Sequence, residues 1–152
     1  MPRPTIWTIG YERATQASLI GALMDATIEV LVDIRYLPLS RRPGFSKSGL
    51  KAAAEEAGFG YRHFKQLGTP PAGREAARRG DRAGLQRSYA GQLELPEAMA
   101  QMAELRAIAE EKRAALLCFE REAADCHRSM LYDALFADFR RVDLEPAIVY
   151  PG

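Results

Sequence analysis

The chain has 152 residues, of which 47% are hydrophobic and 27% are charged, and its net charge at pH 7 is only +1. This length predicts a single domain over residues 1–152 with a substantial core, and the ordinary apolar content excludes a disordered chain. Two cysteines exclude a disulfide scaffold, and no apolar run approaches the roughly 20 residues of a membrane helix. The N-terminus lacks the apolar stretch of a signal peptide. We therefore expect a cytoplasmic protein without a membrane partner.

The middle of the chain is strongly basic. Residues 35–90 contain twelve basic and four acidic residues, a net charge of +8, whereas the whole chain carries +1. Most of the basic residues are arginines, whose planar guanidinium binds phosphate or carboxylate with two parallel hydrogen bonds. This pattern indicates an anionic partner, either a small molecule or a nucleic acid. The alternative is a solvated surface that pairs with the acidic C-terminal third.

The first quarter of the chain is predicted to form a strand–helix–strand unit. Pro4–Ile9 alternates and is rich in β-branched residues, which predicts a strand. Thr15 can cap an amphipathic helix, and Glu29–Ile34 is a continuous apolar run typical of a strand buried on both faces. The apolar face of that helix consists of Leu19, Ile20, Leu23 and Met24. Such units are right-handed and have parallel strands.

The alternation continues to the end of the chain. After a loop at residues 35–45, we predict a helix from Ser46 through Ala57, a short strand over Tyr61–Phe64, an irregular stretch over residues 67–74, and a helix over residues 75–91 weakened by Gly80 and Gly84. The remaining predicted elements are a long helix from Pro96, a buried strand over Ala114–Phe119, a charged loop over Glu120–Asp125, a helix over Cys126–Phe139 and a last strand over Pro146–Tyr150. This order predicts one three-layer α/β domain with a mainly parallel central sheet flanked by helices.

Ligands of such sheets bind beyond the carboxyl ends of the strands. Three loops leave predicted strand ends there, at residues 10–13, 35–45 and 120–128, and each contains charged or polar residues. We therefore predict an anion-binding site at this edge. The residues expected to bind the anion or substrate are Arg35, Arg41, Arg128, Tyr11, Tyr36, Ser40 and Glu120.

The segment Cys126-His127-Arg128-Ser129 lies at the start of a predicted helix. Backbone N–H groups at a helix start attract anions and lower the pKa of a nearby thiol. Cys126 can therefore be a catalytic nucleophile, with His127 as proton carrier and Glu12 as an alternative nucleophile or base. Two other interpretations stay open: the segment binds a ligand, with Arg128 on a phosphate or sulfate, or it is purely structural.

Cys118 precedes Cys126 by eight residues and is the penultimate residue of a predicted buried strand, which favours a position in the core. A redox pair of the two cysteines is the alternative. No CxxC or HxxxH spacing indicates a metal site, and the Cys-to-Arg spacing of tyrosine phosphatase loops is absent. Neither a Walker loop nor a GxGxxG motif is present. The sequence therefore predicts no metal and no cofactor.

Motifs along nearly the whole chain are similar to those of one family. They are Thr8-Ile9-Gly10-Tyr11-Glu12, Leu31-Val32-Asp33-Ile34-Arg35, Pro38-Leu39-Ser40-Arg41, Pro43-Gly44-Phe45, Leu67-Gly68, Leu117-Cys118-Phe119-Glu120 and Cys126-His127-Arg128. In this order they resemble domain of unknown function 488, which implies a small bacterial or archaeal α/β domain with no settled activity. The family's cysteine, glutamate and Cys-His-Arg pattern corresponds to Cys118, Glu120, Cys126, His127 and Arg128.

A second likeness is to rhodanese-type sulfurtransferases. Leu31-Val32-Asp33-Ile34-Arg35 looks like their Asp-x-Arg strand end, and in those enzymes too a later strand leads into a cysteine-bearing loop. This chain lacks their short Cys-x-x-Gly-x-Arg cradle, in which backbone N–H groups hold a sulfur anion. The departure argues against persulfide chemistry.

Three functions follow from these observations. The first is an enzyme-like domain that clamps a phosphate- or sulfate-bearing anion with Arg35, Arg41 and Arg128. The second is a non-catalytic nucleic-acid-binding module, in which residues 35–90 follow the phosphates and bases stack on Tyr11, Tyr36, Phe45 and Tyr61. The third is a structural or partner-binding domain with solvated arginines. We favour the first, an anion-binding α/β domain, because a basic loop set, a helix start and a thiol meet at one sheet edge.

Overall fold

The computed structural model describes residues 3–121 and 127–148. A five-stranded sheet forms its centre, with strands β1 Thr5–Gly10, β2 Val30–Asp33, β3 Gly60–His63, β4 Ala114–Cys118 and β5 Arg140–Leu144. The strand order is β3-β2-β4-β1-β5, and every pair of neighbours is parallel. The predicted three-layer α/β architecture is confirmed. Because all strands run in one direction, the loops that follow them leave from the same edge.

Helices cover both faces of the sheet. They are α1 Gln16–Asp25, α2 Lys47–Ala57, α3 Pro71–Arg78, α4 Arg82–Leu93, α5 Pro96–Glu111 and α6 His127–Leu135. Adjacent residues of β4 serve opposite faces: Leu117 packs with α1 and α2, and Leu116 packs with α4, α5 and α6. This division follows from the two-residue period of a strand and produces two apolar clusters. None of the helices of the described residues is both long and apolar enough to cross a membrane.

Local sequence signals account for the starts of three helices. Thr15 caps α1, because its hydroxyl accepts from the backbone N–H of Ser18 at 3.0 Å and the Ser18 hydroxyl accepts in return from the Thr15 N–H. The predicted starts at Ser46 for α2 and Pro96 for α5 are likewise observed. A proline fits the first turn of a helix because the missing N–H has no helical partner there.

The region over residues 67–91 differs from the sequence prediction. The expected single helix over residues 75–91 is two helices, α3 and α4, and α3 already begins at Pro71 within the stretch predicted to be irregular. Gly80 separates them with φ +73°, a left-handed conformation that a right-handed helix cannot contain. Pro71 is the first residue of α3, a position where a proline favours a helix start.

The last strand also lies elsewhere than predicted. The expected strand over Pro146–Tyr150 is wrong for residues 146–148, because β5 occupies Arg140–Leu144 and α6 correspondingly ends at Leu135. Residues 149 and 150 lie outside the described residues. Of the predicted segment, Ile148 forms only an isolated antiparallel bridge to Ala14. A strand at the sheet edge needs one apolar face, supplied here by Val142 and Leu144, and tolerates charge on the other.

The end of β1 packs closely against the loop after β4. A Cβ atom on Gly10 would lie 1.8 Å from the backbone oxygen of Glu120, which no small adjustment can accommodate.

We therefore expect Gly10→Ala to destabilise the fold by about 1–3 kcal/mol in urea denaturation. Gly21→Ala in α1 is the matched control, because no atom from outside its own helical turns lies within 4 Å of its new Cβ, and it should stabilise the protein by about 0.5–1 kcal/mol. Equal stabilities for the two variants would contradict this packing.

Candidate functional site

The three loops predicted to meet at the carboxyl edge are tied to one another. The Arg42 guanidinium, in the loop after β2, donates to the backbone oxygen of Tyr11 after β1 at 3.0 Å. His127, at the start of α6, donates from Nε2 to the backbone oxygen of Ile34, directly after β2, at 2.7 Å. Glu12 accepts from the backbone N–H of Arg121 at 3.0 Å, which joins the loops after β1 and β4. The predicted convergence is therefore observed among the described residues.

A buried ion pair lies at the centre of this edge. Asp33, the last residue of β2, is completely buried, and Arg35 is 6% exposed. The Arg35 Nε and Nη2 donate to the two Asp33 carboxylate oxygens at 2.8 and 2.7 Å. Its Nη1 donates to the Phe45 backbone oxygen at 2.7 Å and to the Tyr11 hydroxyl at 3.3 Å, and Tyr61 donates its hydroxyl to Asp33. Arg35 thus holds β2, its following loop and the end of β1 together.

The Arg35 guanidinium stays charged despite its burial. Burial acts to lower the pKa of Arg35, but the hydrogen bond and negative charge of Asp33 outweigh it and raise that pKa. Burial and the Asp33 charge also raise the pKa of Tyr61, so this side chain remains a neutral hydroxyl donor. The positive charge of Arg35 is therefore compensated inside the protein.

Two histidines fix the backbone that follows β2. His63 Nε2 lies 2.7 Å from the Arg35 backbone oxygen, and His127 Nε2 lies 2.7 Å from that of Ile34. A carbonyl only accepts hydrogen bonds, so each Nε2 carries the proton. Burial lowers the pKa of His127 to about 4, which keeps its imidazole neutral at pH 7.

A cavity of about 150 Å³ opens at this edge. Its described lining comes partly from the loops after β1, β2 and β4, with Tyr11, Arg35, Tyr36, Leu37, Phe119 and Glu120. The remaining lining residues are Thr69 in the segment before α3, Arg74 in α3 and His127 in α6. A larger cavity of about 460 Å³ lies between α4 and α6 and shares Glu120 and His127 with the first.

Arg74 is the second arginine of the smaller cavity. Its Nε is buried and has no hydrogen-bond partner among the described residues. The guanidinium carbon lies 6.0 Å from the Tyr36 ring centroid, and the Lys65 ammonium lies 4.9 Å from the same ring. Within residues 3–121 and 127–148, no carboxylate forms an ion pair with Arg74, in contrast to Arg35. Arg74 therefore brings a charge that is not compensated by a neighbouring carboxylate.

A family model described as domain of unknown function DUF488 matches residues 15–135 of the chain. The chain belongs to the DUF488 family. The likeness read from the sequence motifs is thereby confirmed. Comparisons with curated proteins and with solved structures find no match.

The structure brings half of the predicted site residues of this DUF488 domain to the smaller cavity. Five of them line it: Tyr11, Arg35, Tyr36, Glu120 and His127. Their contacts within the protein differ. Arg35 directs its donors at protein groups, and the Tyr11 ring stacks on Phe45 with centroids 4.7 Å apart.

The other predicted residues take different positions in the DUF488 domain. Arg41 is exposed, and the Ser40 hydroxyl accepts from the Arg42 backbone N–H within its own loop. Glu12 bonds the Arg121 backbone as described above. Arg128 is 1% exposed and donates to the Arg121 backbone oxygen at 2.7 Å. The predicted nucleophile Cys126 lies outside the described residues.

Several residues of the candidate site were not predicted from the sequence. Arg74, Thr69 and Phe119 line the cavity, and Arg42, rather than its neighbour Arg41, turns inward to bond the Tyr11 backbone. The Leu67-Gly68 motif carried a usable signal. A Cβ on Gly68 would lie 2.1 Å from the backbone nitrogen of Tyr36, so this glycine lets the segment before α3 approach the site.

The described part of the DUF488 domain bears on metal and thiol chemistry in two ways. No group of three or more His, Cys, Asp and Glu side chains in residues 3–121 and 127–148 is arranged to hold a metal ion. Cys118 is completely buried, as a core position predicts.

The buried ion pair predicts that two arginines of the segment after β2, Arg35 and Arg41, contribute differently to the free energy of unfolding. Arg35→Ala leaves the buried Asp33 without its guanidinium partner, so we expect a loss of about 3–5 kcal/mol in the free energy of unfolding. Arg41→Ala removes an exposed side chain and should change that free energy by no more than about 0.5 kcal/mol. Urea denaturation of both variants measures the difference. A loss of similar size in both would show that the pair does not hold this edge.

The buried histidine predicts a pH dependence of stability. The pKa of His127 is lowered from 6.5 to about 4, so as the pH falls the unfolded chain takes up the proton first. Stability from this group is complete above pH 6.5 and is lost as the pH falls towards 4.

His127→Gln keeps an N–H donor for the Ile34 carbonyl and removes the titration. The fall in unfolding free energy between pH 6.5 and 4 should be smaller in the variant by up to about 3 kcal/mol. Urea denaturation at several pH values tests this, since the carboxylates titrate equally in both proteins. Parallel pH profiles would contradict a neutral, buried imidazole.

Proposed function

We propose that this DUF488 domain binds a small anion, such as a phosphate, sulfate or carboxylate group, in the cavity at the carboxyl edge of its sheet. The observation that carries the proposal is Arg74, a cavity-lining guanidinium whose buried Nε has no hydrogen-bond partner among the described residues. A buried donor without a partner costs about 1–3 kcal/mol, which a bound anion would recover.

The neighbouring groups support Arg74 as the anion ligand. The charge of Arg35 is already compensated by Asp33, and His127 is neutral at pH 7, so neither adds a net positive charge. Thr69 lies in the same wall and has a hydroxyl that can donate to an anion. Lys65, on the Tyr36 ring, adds positive potential at the rim.

The cavity volume supports a small ligand. Sites for drug-sized ligands enclose about 300–1,000 Å³, whereas this cavity has about 150 Å³. It suits one anionic group with a few further atoms. Glu120, the carboxylate of the wall, can accept a hydrogen bond from a hydroxyl or N–H of the ligand.

The arrangement favours a small anion over a nucleic acid strand. Two of the rings expected to stack on bases, Tyr11 and Phe45, are buried and stacked on each other, and Tyr61 bonds Asp33. Tyr36 is the remaining ring of that set at the cavity. Extended stacking along a strand needs several accessible rings.

Phosphate titration by isothermal calorimetry tests the proposal. Wild-type protein should bind phosphate, and Arg74→Gln should weaken that binding by about 10–100-fold, because hydrogen bonds to charged groups are worth about 1.5–3 kcal/mol. Arg78→Gln, one turn further along α3, is the control: this exposed arginine pairs with Glu75 and lies away from the cavity. It should leave phosphate affinity unchanged.

Two outcomes would overturn the proposal. One is phosphate binding that Arg74→Gln leaves intact while thermal denaturation shows a folded variant. The other is the absence of phosphate binding together with tight, steeply salt-dependent binding of a single-stranded oligonucleotide, which would support the nucleic-acid alternative.

A further inference from the structure

We infer that the anion bound by this site carries an aromatic ring, as in an aryl phosphate or aryl carboxylate, and that the ring packs on Leu37 and Phe119 at the cavity mouth. The inference rests on the proposed anion-binding function and specifies its ligand. Its evidence is separate from the evidence for the anion, because it comes from the apolar part of the same cavity.

Leu37 and Phe119 are exposed although they are large and apolar. Leu37 is 43% exposed and Phe119 is 44% exposed. Six large hydrophobic side chains are exposed to this degree among the described residues, and these two line the same cavity of about 150 Å³. Exposed apolar side chains that share the mouth of a polar cavity are typical of a ligand-binding surface.

The aromatic side chains here are held in fixed positions. The Phe119 ring meets the Tyr11 ring edge-on, with centroids 5.3 Å apart and an interplanar angle of 82°. Tyr11 is itself fixed by stacking on Phe45. A ligand ring would therefore meet a preorganised aromatic surface, and ring pairs gain attraction beyond the buried area alone.

The size of the cavity limits the ring. A cavity of about 150 Å³ lined by apolar side chains holds a benzene molecule, and this cavity has that volume but also contains Arg74 and Glu120. A single six-membered ring fits if it lies partly at the mouth, on Leu37 and Phe119, with its anionic substituent inside near Arg74. A fused ring system or a dinucleotide exceeds this space.

Phenyl phosphate and inorganic phosphate are the two probes that test the inference. We expect wild-type protein to bind phenyl phosphate at least about tenfold more tightly than phosphate, because the ring buries apolar area on binding. Leu37→Ala should reduce this ratio towards one, because the ring loses its apolar contact at that position. Phe119→Leu, which keeps an apolar group of similar size, should reduce the ratio less.

Leu39→Ala is the matched control. Leu39 belongs to the same loop as Leu37 and is 72% exposed, but it does not line this cavity. Its replacement should leave the ratio of the two affinities unchanged. Thermal denaturation of each variant checks that it is folded.

Each outcome decides between the two proposals. If phosphate binds through Arg74 and phenyl phosphate binds no more tightly, the ring inference is wrong and the anion site stands. Equal effects of Leu37→Ala and Leu39→Ala on the ratio also overturn the ring inference. If neither probe binds, the anion site itself is wrong and the ring inference falls with it.

Discussion

The buried ion pair of Asp33 and Arg35 is the interaction on which the carboxyl edge depends. An ionised pair in the interior is stable only when its geometry is good and its remaining hydrogen-bonding groups are satisfied. Here the two side chains form two parallel bonds, and Phe45, Tyr11 and Tyr61 complete the set. The cost of desolvating both charges is therefore offset by contacts that also join β2, its following loop and β1. The same contacts turn Arg35 towards the protein, so the cation that meets a ligand has to come from another element.

Much of the fold could be predicted from the sequence, because its signals are local. Continuous apolar runs mark the central strands β2 and β4, and a capping pair at Thr15 marks α1. The position of β5 was predicted wrongly for a different reason. Its residues Arg140–Leu144 are charged on one face, and only pairing with the distant β1 makes them a strand. Such pairing depends on long-range contacts that a local pattern does not contain.

The candidate site could be predicted to the level of its loops but not of its individual arginines. Arg41 and Arg42 are adjacent and chemically identical, and only packing against Phe45 and the Tyr11 backbone selects Arg42 for the interior. Arg74 was missed for a further reason. It belongs to α3, which reaches the sheet edge because Gly68 allows the preceding segment to pass within contact of the Tyr36 backbone. The close approach of Gly68 to the Tyr36 backbone cannot be predicted from either segment alone, because it depends on how the two segments pack.

The excess of positive charge over residues 35–90 illustrates why net charge does not identify a ligand. Several of its arginines are paired with carboxylates, among them Arg35 with Asp33, Arg62 with Glu104, and Arg78 and Arg79 with Glu75. The pair with Glu104 joins the basic segment to the acidic C-terminal third, as the solvated-surface interpretation expects. Such exposed pairs contribute little to stability, and they reduce the field available to a long polyanion. What distinguishes Arg74 is its place in a cavity, where low dielectric strengthens a single charge–anion contact. A compact anion can bind through one such contact, whereas a nucleic acid strand would need many such charges in a row.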